Sequence, residues 1–177
     1  MIFCRALILP LAILATAAAV CANLFAVFRK GTGRNKSEQT LWYSSENVRS
    51  GIKEMVKDSP CDQYKLFFEI SEGGAAGGAG VGLIIFVLAI AQLCSRQGMC
   101  CLKCITSLFV TLAFVGCGGC VGLLVYGYLK GYCQNDDSLR DAYAPFKDRG
   151  YEFVEGFYLI CTACGLFLFT CLFQCCA

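Results

Sequence analysis

Charge is confined to a few intervals of this chain, and that confinement limits its fold more than any other feature. Four stretches, 6–28, 73–94, 105–129 and 153–173, carry no charge away from their ends. Each can cross about 30 Å of hydrocarbon at about 1.5 Å per helical residue. Only 16% of the 177 residues are charged, against roughly 25% in soluble domains. The expected fold is therefore an all-α membrane protein, a four-transmembrane-helix bundle forming one domain over 1–177. Outer loops 29–72 and 130–152 and a turn, 95–104, join the spans. The net charge is +2 with no basic cluster, which gives nucleic acid no footprint.

The first stretch resembles a signal peptide in part, since AAAVCA offers small residues for cleavage. Its apolar run continues well past that point, so a retained span is expected. Pro10 is placed in the first turns, where proline costs a helix least. In the loop that follows, Val48, Ile52, Met55 and Val56 recur at helical spacing, with Ser44 or Ser45 as a cap and Pro60 beyond the end. YKLFFEI, 64–70, reads as a short strand or as a lead-in to the second span. That span opens GGAAGGAGVG. Gly74, Gly78 and Gly82 share one face, which lets helices approach closely in lipid. The alternative is a glycine-rich linker before a helix starting near Gly80. Gly118 and Gly122 repeat the device in the third span, and Tyr126 and Tyr128 suit its interfacial end. In the second loop DDSLRDAY predicts a short helix before Pro145, capped by Asp136 or Asp137.

Short loops weigh most in setting orientation. The 95–104 turn holds Arg96 and Lys103 and no acid, and Arg5 is the only charge before the first span. The turn and both termini are therefore expected in the cytoplasm, although Lys30, Arg34 and Lys36 pull the other way. This orientation sorts the 15 cysteines. Cys4, Cys94, Cys100, Cys101, Cys104, Cys171, Cys175 and Cys176 fall at the cytoplasmic edge. Juxtamembrane cysteines beside basic residues are the setting for reversible palmitoylation; the alternative is bare thiols. Cys21, Cys117, Cys120, Cys161 and Cys164 lie within spans. Cys61 and Cys133 lie one in each outer loop, where an oxidising exterior favours pairing them; the alternative is two free thiols.

CGGC (117–120) and CTAC (161–164) would lie at overlapping depths, and four thiolates suit zinc or an iron–sulfur cluster. A four-thiolate zinc site carries a double negative charge, however, and no cation in the spans offsets it. Packing of small apolar side chains is the expected role. The chain has no histidine, so the commonest catalytic base and metal ligand is missing. No nucleophile elbow or phosphate-binding loop is present. No enzyme activity and no cofactor beyond structural lipids is expected. Asn35-Lys36-Ser37 matches the glycosylation acceptor, close to the membrane.

Four spans with a longer first outer loop resemble claudins and, more closely, the kinetoplastid amastins. Thr40, Leu41 and Trp42 match the Thr-Leu-Trp of the amastin first-loop motif, and Asn47 fits a polar position. Glu38 and Val48 stand where that motif has cysteines, so its loop-internal disulfide is missing. YEFVEGF supplies Tyr151, Phe153, Gly156 and Phe157 of the motif before the last span, with Val154 replacing a glycine. The resemblance implies a divergent surface protein without catalytic activity. It also implies a small sheet-containing cap, with Trp42 packed between cap and bilayer; a plain interfacial anchor is the other reading of Trp42.

The leading functional expectation is a non-enzymatic protein of the plasma membrane. It would act by lateral or extracellular association with itself or with other membrane proteins. The alternatives are an accessory structural subunit of a larger membrane complex, organellar for instance, and an oligomeric channel or lipid-handling protein.

Overall fold

The computed structural model describes residues 2–31, 36–45, 53–94 and 100–176, without the side chains of 2–6, 100, 175 and 176. Asn35, Asn47, Val48, Ile52 and the 95–99 link lie outside the described residues, as do the side chains of Cys4, Cys100, Cys175 and Cys176.

Four helices dominate: α1 (Ile2–Leu24), α2 (Asp62–Cys94), α3 (Cys100–Lys130) and α4 (Glu155–Cys176). All four are long and apolar enough to cross a membrane, which makes the chain a multi-pass membrane protein. α1 packs on α2 and α4, and α3 packs on the same two, so the four close into a ring. Small residues allow the close approach. Ala12, Ala15, Ala19 and Ala22 of α1 are buried, as are Ala75 and Gly78 of α2. Many larger aliphatic side chains point outward instead, with Leu83, Val87, Leu108 and Val115 among the exposed ones, while Ile85, Val110, Leu124 and Ile160 are buried between helices. That inversion suits a lipid solvent, which does not drive large apolar groups inward.

Several boundaries differ from the sequence expectation. α1 begins at Ile2, so Pro10 lies in the helix interior, past its first turns. There it removes one helical N–H, a loss that membrane helices tolerate. α1 also stops at Leu24, and Phe28 belongs to a strand. α2 begins at Asp62 and absorbs YKLFFEI as helix. Its 33 residues span about 50 Å, beyond the roughly 30 Å of hydrocarbon. The extra turns rise out of the bilayer into the loops. Because α2 is continuous through its glycines, the linker alternative for 73–80 does not hold. α3 ends where Gly131 takes φ 69 and its N–H returns to the Gly127 carbonyl, a left-handed helix cap that glycine supplies without strain.

Over one end of the bundle sits a five-stranded antiparallel sheet: β1 (Phe28–Lys30), β2 (Ser37–Gln39), β3 (Tyr43–Ser45), β4 (Glu54–Met55) and β5 (Glu152–Phe153). The spatial order is β4-β3-β2-β1-β5. The predicted helix around 48–56 is contradicted where it can be checked. Ser44 and Ser45 pair in β3, and Met55 pairs with Tyr43 from β4. Helical spacing of four apolar residues yields here to cross-strand pairing that the local pattern does not encode. DDSLRDAY likewise forms successive turns and no regular helix, although Asp136 Oδ1 accepts bonds from the Ser138 N–H and hydroxyl.

Candidate functional site

The most elaborated part of the chain is this cap, and its construction begins at the Thr-Leu-Trp tripeptide. Thr40 Oγ1 accepts the N–H groups of Trp42 (3.2 Å) and Tyr43 (3.0 Å), folding the chain tightly between β2 and β3. A threonine hydroxyl mimics a backbone acceptor in such turns. Leu41 is buried beneath the turn, whereas Trp42 is 43% exposed. Trp42 thus lies on the surface of the cap, an exposure common to an interfacial anchor and to a side chain packed between cap and bilayer.

One arginine ties the sheet to the last span. Arg29 on β1 donates from Nε to Glu38 on β2 and from Nη1 to Glu155 at the start of α4, each at 3.0 Å. The Glu155 carboxylate holds the Arg29 guanidinium above its ordinary value against the pull of burial, with Glu38 adding to it. For Glu38, burial pushes the carboxyl up, but hydrogen bonds from Lys36 and Arg29 outweigh it and hold the group below the usual carboxylate range. Glu38 thus occupies a position where the amastin motif has cysteine and forms ion pairs there.

The two loops are joined covalently. Cys61, just before α2, and Cys133, just after α3, form a disulfide with their Cα atoms 6.2 Å apart. Polar contacts flank it: the Cys133 N–H donates to Gln63 Oε1 (2.9 Å), and the Ser59 hydroxyl meets that of Tyr143 at 2.6 Å. Cys133 adopts φ 49, a conformation uncommon for a residue with a side chain, and the disulfide and the Gln63 bond hold it there. Tyr64 donates to Gln39 Oε1 (2.9 Å), so the buried Gln39 links β2 to α2.

Beneath the sheet an aromatic collar fills the junction of cap and spans. Phe28 stacks on Phe146 (4.4 Å between centroids), and Phe153 packs on Tyr128 (4.2 Å) and Phe157 (3.9 Å). Tyr151 is buried edge-on to Phe146. Burial pushes the Tyr132 phenol well above its ordinary value. Gly156 lets α4 start against the end of α1: a Cβ there would lie 2.6 Å from the Ala26 carbonyl oxygen. The residues of the second motif, 151–157, therefore seal the seam between the first and last spans.

Within the bundle, Gly74, Gly78 and Gly82 face their neighbours. A Cβ on Gly74 would meet the Gly116 carbonyl at 2.8 Å, one on Gly78 would meet Cys117 Sγ at 2.7 Å, and one on Gly82 would strike Thr16. Gly118 faces α4 more loosely, 3.7 Å from Cys164 Sγ, and Gly122 has nothing near it. Among the described residues Gly122 therefore faces no neighbouring helix, contrary to the repeat read from its spacing. Gly116, which the spacing did not single out, is the residue that meets Gly74.

Cys117 and Cys120 are buried, and Cys161 and Cys164 are partly so. Among the described residues no group of three or more acidic or cysteine side chains is placed to hold a metal. Cys94, Cys101 and Cys104 are exposed. Cys171 lies deeper than the edge where its place in the sequence put it: its sulfur is 3.9 Å from Thr111 Oγ1, about 10 Å along α3 from Cys104. Near that end of the bundle Gln92 donates to Thr106 Oγ1 (2.7 Å), and Gln174 reaches Gln92 Oε1 (3.4 Å). This buried amide network joins α2, α3 and α4.

Four spans, an arginine-tied sheet and a disulfide between both loops define a membrane protein with a clasped β-cap. Compared with known protein families, curated proteins and solved structures, the chain shows no match.

Proposed function

We propose that the chain is a non-enzymatic, amastin-like protein of the plasma membrane that acts by association, laterally and through its cap. The observation that carries this reading is the construction of the cap. Both loops are bonded into one unit by Cys61–Cys133, and that unit is anchored to the last span by Arg29 and Glu155. Such a unit keeps a fixed outer surface, as a recognition element must. The middles of the spans carry no ionisable group other than cysteine, whereas coupled transport across a bilayer usually needs one. Thr40, Leu41 and Trp42, with Tyr151, Phe153, Gly156 and Phe157, support the amastin likeness because they build the hairpin and the seam. The exposed Cys94, Cys101 and Cys104 supply sites where acyl chains would sort or cluster the protein from the cytoplasmic side.

The test is topological and physical together. A single cysteine placed at the exposed Asp137 is expected to react with an impermeant maleimide on intact cells, and lysine crosslinking in native membranes is expected to trap the chain with itself or with neighbouring membrane proteins. A cap that labels only after permeabilisation, or a chain that never crosslinks, overturns the reading.

A further inference from the structure

Between the β3–β4 end of the sheet and the second loop lies a cavity of about 720 Å³, within the roughly 300–1,000 Å³ of small-molecule sites. Its floor is aromatic. Phe146 is 3% exposed and Tyr151 6%, and both line the cavity beside Tyr64 and the half-buried Tyr143. Its rim is charged. Lys53 and Arg149 stand there with Glu54 and Asp58, and none of the four joins an ion pair among the described residues. The two cations are instead set over rings: Lys53 Nζ lies 4.5 Å from the Tyr43 centroid, and the Arg149 guanidinium lies 5.3 Å from that of Tyr151. Stacking holds each head in place and leaves its N–H donors uncommitted.

These features narrow the occupant. Among the described residues the two cations and two acids cancel, so a strongly anionic ligand meets Glu54 and Asp58, and a strongly cationic one meets Lys53 and Arg149. A purely apolar ligand would strand four charged groups at its edge, a desolvation that nothing offsets. What remains is a neutral molecule with an apolar face for the half-buried Tyr143 ring and many hydroxyls for the rim. A pyranose has that form: axial C–H groups on one face, and hydroxyls around the edge that both accept from Arg and Lys and donate to carboxylates.

We propose that the cap cavity binds a neutral carbohydrate, packed against the half-buried Tyr143 ring and hydrogen-bonded by Lys53, Glu54, Asp58 and Arg149. The volume accommodates more than one sugar ring. The proposal deepens the reading of the cap as the associating part of the protein and makes its partner a glycan-bearing surface.

The test uses the full chain in nanodiscs, where both faces are open to solvent, so the result does not depend on membrane orientation or on self-association. Saturation-transfer NMR is run with neutral trisaccharides of glucose, galactose, mannose and N-acetylglucosamine. Phosphocholine, a sialylated trisaccharide and a short lysine peptide serve as competitors of other chemistry. Binding of at least one neutral trisaccharide is expected, with the strongest transfer to ring C–H protons. Arg149→Ala and Glu54→Gln are each expected to weaken it about tenfold, the scale of one hydrogen bond to a charged group. Asp137→Asn, outside the cavity, is expected to leave it unchanged. Retention of the Cys61–Cys133 bond and of the helical circular dichroism shows that each variant is folded. Absence of transfer from every neutral sugar, preference for a charged competitor, or indifference to both rim substitutions overturns the proposal. Failed surface labelling with intact sugar binding would instead overturn only the assignment to the cell surface.

Discussion

Gly74→Ala and Gly77→Ala are the same chemical change made three residues apart on α2, and the structure assigns them opposite signs. An alanine Cβ at Gly77 meets nothing within 4 Å, whereas at Gly74 it lies 2.8 Å from the Gly116 carbonyl oxygen. That oxygen belongs to the backbone of α3 and cannot rotate away, so the two helices must separate by a few tenths of an ångström along their contact. Replacing glycine by alanine within a helix gains about 1 kcal/mol of propensity, and overpacking a close contact costs about 1–3 kcal/mol. The propensity gain is common to both variants and cancels in their difference. Gly77→Ala should thus exceed Gly74→Ala in stability by about 1–3 kcal/mol. Gly116→Ala gives a third point, because its Cβ would sit at an ordinary 3.5 Å from Gly74 O, and it should fall between them. Equilibrium unfolding in mixed micelles with rising dodecyl sulfate gives all three values on one scale. If Gly74→Ala proves as stable as Gly77→Ala, the interface between α2 and α3 is not where the reasoning places it.

Other expectations follow from the cap and the edge cysteines. Cys61→Ser removes a bond that closes a separation of 72 residues, a closure worth about 4 kcal/mol in a free chain. Because α2 and α3 stay paired in the bilayer, much less of that should be lost, and faster amide exchange should appear in the cap with the spans unaffected. Glu38 is held below its ordinary 4.5, so its contribution is complete above that value and disappears as pH falls through the lowered one. Acidification below 4.5 should therefore accelerate exchange at β1 and β2, and Glu38→Gln should flatten that dependence. Hydroxylamine-sensitive acyl exchange should label the wild-type chain and decline when Cys94, Cys101 and Cys104 become serine; an unchanged signal would exclude these sites.

The spans were legible because a run of twenty apolar residues has few other uses, and the pairing of Cys61 with Cys133 followed from their being alone in their loops. Element ends were not. Tyr64 to Ile70 carries Lys65 and Glu69, which look like the end of a membrane segment, yet α2 continues through them outside the hydrocarbon. The strands are two or three residues long, too short for an alternation to show, so Met55 was read by its spacing from Val48 and Ile52 instead. Gly122 repeats Gly118 at the right interval, but one helix has several faces, and periodicity does not say which is occupied. Arg29, which joins three elements, and the cavity over Tyr64 and Phe146 arise from segments more than eighty residues apart, and nothing local marks either.

The sheet order also dictates when the cap can exist. β1 lies early in the chain, but one of its two neighbours, β5, comes just before α4. Roughly 120 residues separate Lys30 from Glu152, on the order of ten seconds of synthesis at the usual rates. Through that interval one edge of Phe28–Lys30 waits unpaired, and Cys61 waits for its sulfur partner. Open strand edges recruit foreign strands. The vulnerable stage of this protein is thus an interval during its birth, and a ribosome arrested before α4 leaves a chain that can be finished only by some other molecule.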